Sequence, residues 1–92
     1  MSEIRWSTHA ADDFVRIVDY IRQDSAIAAQ KVARAVYERI SSLKDFPNMG
    51  RAGRVAETRE LALAPLPFIV VYRVKDDRVE IVRILHGAQR WP

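Results

Sequence analysis

The chain has 92 residues, 49% of them hydrophobic and 29% charged, values that suit one globular domain over residues 1–92 and argue against wholesale disorder. It has no cysteine, which excludes disulfides, thiol nucleophiles and thiolate metal sites and fits a reducing cytoplasm. The net charge of +3 arises in the second half: residues 1–46 carry seven Lys/Arg and seven Asp/Glu, residues 47–92 eight and five.

The start, Met1 to Trp6, lacks an apolar leader core, and Ile4 and Trp6 alternate with Glu3 and Arg5 as in a short strand. Ser7 or Thr8 is placed to cap a helix in which Ala10, Phe14, Ile17, Val18 and Ile21 recur at helical spacing. Asp12 and Asp13 suit the positive end of its dipole, and Arg16 falls on the solvated side. Asp24-Ser25 ends this helix and caps a second, striped by Ala29, Val32, Ala33, Val36, Ile40 and Leu43 and stopped at Phe46-Pro47. So short a break implies an antiparallel helical hairpin.

Pro47 to Arg54 has turn composition and reads as a loop. Three strands follow, about 58–64, 68–74 and 79–85. The longest apolar run, Leu61 to Tyr72, is broken by Pro65 and Pro67 and falls short of the ~20 residues that a membrane helix needs, so no membrane role is expected. The order β-α-α-β-β-β predicts an α+β domain, an antiparallel sheet with the helical hairpin on one face. With Val74 opposite Val79, strict alternation puts Phe68, Val70, Tyr72, Val79, Ile81, Arg83 and Leu85 on one face. Ile69, Val71, Arg73, Glu80, Val82, Ile84 and His86 take the other, with Arg73 beside Glu80. Both faces are apolar, and one helix pair covers only one of them. The second is expected to take a partner polypeptide, the alternative being burial by the first strand and the 47–57 loop.

The residues with chemical potential lie in this half. Seven of its eight cations are arginine, which forks onto phosphates and carboxylates. Arg51, Arg54 and Arg59 are expected to converge on one loop, where they would hold a phosphate or anchor acidic residues of a partner. Glu57 and Glu60 lie between them as local ion-pair candidates. Arg83, inside an apolar strand, needs a partner if buried. Histidine as a residue type can exchange a proton near neutrality, so His86 is a candidate general acid, or a packing residue at a strand end. Trp91 either docks on the sheet or awaits a partner. His9 and His86 are too far apart, with no acid at ligand spacing, to make a metal motif.

Several segments then fall in a telling order: Trp6-Ser7, Asp24 with Ala28-Ala29, Pro47-x-x-Gly50-Arg51, Thr58-Arg59-Glu60-Leu61, Val71-Tyr72-Arg73-Val74, and Val79 to His86 with its Ile-Leu-His. Together they resemble the RelE/ParE superfamily, toxins of bacterial type II toxin–antitoxin (plasmid stabilisation) modules. The resemblance implies a cytoplasmic growth inhibitor with no cofactor, neutralised by a cognate antitoxin and able to form higher-order toxin–antitoxin oligomers. One branch is RelE-like, ribosome-dependent mRNA endonucleases acting on translating ribosomes; the other is ParE-like, inhibitors of DNA gyrase with no known catalytic centre. The nucleases carry an arginine three residues before the strand tyrosine, where this chain has Ile69. The pattern is closer to the ParE-like branch, with the nuclease as the alternative. On that alternative Arg59, Arg83 and His86 would be catalytic. Arg51, Arg54, Arg59, Arg73, Arg83 and Trp91 are the residues expected to bind antitoxin or target.

Overall fold

A computed structural model describes residues 2–87, 89 and 91–92. Strand β1 (Glu3–Trp6) leads into helices α1 (Thr8–Arg22) and α2 (Ala26–Ser41), the latter extended by a 3-10 turn over Ser42–Lys44. Strands β2 (Arg51–Ala52), β3 (Arg59–Ala62), β4 (Phe68–Lys75) and β5 (Arg78–His86) complete one sheet in the order β1-β5-β4-β3-β2. The α+β class and the helical hairpin match the expectation, but β1 runs parallel to β5 and β2 arises within the expected loop.

Ser7 caps α1 by accepting the amide N–H of Ala10 at 2.9 Å, and Ser25 caps α2 through Ala28 at 3.0 Å. The stripes of both helices close over Leu61, Leu63, Phe68, Val70, Tyr72, Val79, Ile81 and Ile84 of the sheet. The hairpin turn keeps its predicted register, Val74 opposite Val79, with Asp76 at a positive φ of 56° that aspartate tolerates.

Beyond the turn the strict alternation fails. Tyr72 pairs with Ile81 but Val71 pairs with Arg83, so Val82 is an extra residue in β5 and forms a bulge. The bulge reverses the expected faces: Ile84, rather than Arg83 and Leu85, joins the helix-side core. Helix α1 stabilises it. Strand β1 ends at Trp6 opposite Ile81, so the outer edge of β5 lacks a strand from Val82 onward. There the Ser7 hydroxyl donates to the Val82 carbonyl at 2.8 Å, and the Ile84 N–H donates to the Asp13 carboxylate at 2.9 Å. Asp13 therefore does not serve the helix dipole; it is buried in the second turn of α1 as a substitute strand partner.

The second sheet face also departs from expectation. Val71 and Leu85 are buried without belonging to the helix-side core. The chain's own tail returns here: Trp91 is half-buried and its carbonyl accepts the Arg54 guanidinium at 3.2 Å. The second face is thus partly covered from within, with Ile69 and Val82 still half-buried and Arg73 exposed on it.

Candidate functional site

Two surfaces stand out, one at the Phe68 end of β4 and one held by Tyr72, four residues along the strand. The first is a groove of about 430 Å³ between the C-terminal half of α1, Val32 of α2 and the Leu66–Phe68 link, reaching Ile84 and His86 of β5. Its walls are apolar (Ile17, Ile21, Val32, Leu66, Phe68), and Tyr20, 72% exposed, stands on its lip. Arg16 lines it too while staying exposed, as expected of the solvated side of α1. His86 is exposed at the groove's end, edge-on to the Phe68 ring at 6.0 Å, and its N–H donates to the Gln89 side chain.

At the base of the groove Asp13 receives Arg83 as a fork, Nε to Oδ2 at 2.8 Å and Nη2 to Oδ1 at 3.1 Å. Burial alone would raise the Asp13 pKa. The guanidinium and the Ile84 amide outweigh it and hold the carboxyl below the ordinary range, while the same contact raises Arg83. Arg83 thus has the partner its position demanded, and that partner is internal.

The second surface is the Phe46–Met49 turn that follows α2. Tyr72, fully buried on β4, donates its hydroxyl to the Pro47 carbonyl at 2.8 Å and accepts the Gly50 N–H at 2.8 Å. Burial pushes its phenol pKa up. Arg59, opposite Tyr72 in the β3–β4 register, donates to the carbonyls of Asn48 at 3.3 Å and Gly50 at 2.8 Å. A Cβ on Gly50 would sit 2.8 Å from the Tyr72 ring, so the approach depends on glycine.

The expected arginine cluster is split. Arg59 faces the turn, whereas Arg51 pairs with Glu60 at 3.2 Å and Arg54 reaches the C-terminal tail, because successive residues on β3 face opposite sides. The Arg54 N–H, then Arg51, lower the Glu60 pKa. Arg73 forms the anticipated pair with Glu80, at 2.6 Å. Sequence reasoning missed Asp13, Tyr72 and the groove walls. A tyrosine in an apolar strand, whose hydroxyl must find a partner once buried, was the signal for Tyr72.

Comparison with known proteins gives the chain a family. A family model described as the ParE toxin of the type II toxin–antitoxin system parDE matches residues 4–91. This chain belongs to the ParE toxin family. It is 39% identical over 89 residues to Toxin RelE2 of Caulobacter vibrioides, covering 97% of this chain and 99% of that one, and 39% identical to the Y4kP protein of Sinorhizobium fredii, covering 97% and 92%. Among solved structures, the chromosomal ParDE toxin–antitoxin system from P. aeruginosa superposes with a TM-score of 0.85 at 30% identity, covering 94% of this chain and 96% of that one. The E. coli DinJ–YafQ complex shares the fold alone, at TM-score 0.64 and 14% identity, with 96% of each chain covered.

Proposed function

We propose that this ParE-family toxin arrests growth by binding DNA gyrase, without catalysis of its own, and that a cognate antitoxin neutralises it by seating an apolar segment in the groove. The observation that carries the first part is the disposition of the three groups a nuclease would use. Arg83 is forked onto Asp13, Arg59 is directed at two loop carbonyls, and His86 lies against Phe68 at the far end of β4. Tyr72, beside Arg59, and Phe68, beside His86, are four residues apart on β4, about 13 Å at strand rise. No single phosphodiester spans that distance, and Ile69 supplies no charge to help.

The antitoxin reading is supported by the groove's concave apolar walls, a form that accepts a helix face or an extended segment. Arg16 on its wall favours an acidic residue beside the apolar anchors. The solved ParDE and DinJ–YafQ relatives come from toxin–antitoxin systems. Affinity should weaken only in part with salt, since apolar burial is not screened.

The deciding experiment is paired: supercoiling by purified gyrase with added toxin, and primer extension on an abundant message after induction in cells. The expected result is lost supercoiling with intact messages. Ribosome-dependent cuts within codons that vanish in His86→Ala, with gyrase unaffected, would replace this reading by the nuclease.

A further inference from the structure

We infer that the Phe46–Met49 turn is the toxin's contact with its target protein, a surface separate from the antitoxin groove, and that it fits an apolar pocket rimmed by carboxylates. The inference rests on the reading of the chain as an inhibitor that works by binding. Phe46 is 65% exposed and Met49 45% exposed, and together with Asp45, Pro47 and Asn48 they flank a shallow hollow. One exposed apolar residue is ordinary on a protein surface. A phenylalanine and a methionine on one turn beside an arginine is different, because it is the composition enriched at interface centres.

The turn is also held rigidly. The Met49 N–H closes it on the Phe46 carbonyl at 3.1 Å, and the Phe46 N–H reaches back to Ser42 at 3.0 Å. Tyr72 and Arg59 then bind the carbonyls of Pro47, Asn48 and Gly50 and the N–H of Gly50. Two side chains from the sheet thus fix a turn whose own large side chains point to water. A rigid display of this kind loses little entropy on binding.

Charge selects the partner. Arg59 meets only carbonyls, and among the described residues it has no carboxylate within ion-pair distance. Lys44 offsets Asp45, so Arg59 leaves a net positive charge beside an apolar tip. That arrangement fits a protein pocket with an acidic edge. A nucleic acid fits less well: the tip is apolar, and one phenylalanine makes no stacking platform.

Phe46→Ala and Met49→Ala test the inference, since neither side chain is in the core. Each is measured for growth arrest on induction, inhibition of purified gyrase, and antitoxin affinity by titration. We expect inhibition of gyrase to weaken at least about tenfold, growth arrest to be lost, and antitoxin affinity to stay at the wild-type value. Full growth arrest by both variants overturns the inference, as does an equal loss of antitoxin affinity, which would assign the turn to the antitoxin. Binding of duplex DNA by the wild type that Phe46→Ala abolishes would put nucleic acid in the protein's place and also overturn it. If wild-type toxin arrests growth but leaves gyrase untouched, the gyrase reading fails, and growth arrest by the variants still decides the role of the turn.

Discussion

The groove and the turn are built from the same α2 helix and the same β4 strand, yet they are opposite kinds of surface. The groove is concave, formed where the helical hairpin and the Leu66–Phe68 link leave apolar walls apart. The turn is convex, and its backbone is tied to the sheet by a tyrosine and an arginine. A concave apolar wall receives a side chain from elsewhere; a fixed convex tip supplies one. On the proposed reading, the contrast lets one domain of 40 × 28 × 24 Å present different surfaces to antitoxin and target.

The largest expected effect comes from the base of the groove. Asp13→Ala would leave Arg83 and the Ile84 amide without their acceptor and should cost about 3–5 kcal/mol in chemical denaturation. The pH dependence follows in sign. The Asp13 pKa is lowered by folding, so its contribution is fully present above the unfolded value near 4 and is lost as pH falls through the lower folded value. Acid unfolding of the wild type should therefore steepen below about pH 4, and Asp13→Ala should flatten that limb.

Tyr72→Phe comes next and sharpens the contrast between the surfaces. It removes only a hydroxyl, stranding the Gly50 N–H and the Pro47 carbonyl, at a cost of about 1–3 kcal/mol. Target inhibition should fall while antitoxin affinity holds, because the tip is loosened and the groove is untouched. On the groove side, Tyr20→Ala should weaken the antitoxin by about 1–2 kcal/mol in a titration and leave gyrase inhibition intact. The smallest effect belongs to Arg73→Ala. Its pair with Glu80 is exposed and on neither surface, so no resolvable loss is expected in the same denaturation experiment.

Helical spacing and caps made both helices legible in the sequence, and the four-residue break from Lys75 to Arg78 set the hairpin register. The bulge was not legible, since Val82, Arg83 and Ile84 each fit either face of an alternating pattern. From that one extra residue the predicted faces reversed. The placing of β1 beside β5 was hidden for another reason: parallel neighbours are far apart in sequence and leave no local signal. Asp13 looked like a dipole residue because its real partners, Arg83 and Ile84, lie some seventy positions away. The arginine cluster looked convergent in sequence, and strand alternation divided it between two faces.

The separation of the two surfaces is tested most directly by amide hydrogen exchange of the toxin with and without its antitoxin. The account predicts that antitoxin slows exchange along residues 13–21 and at 66 and 68, while residues 46 and 48–50 exchange as in the free toxin. Protection confined to residues 46–50, with the groove unchanged, would contradict it.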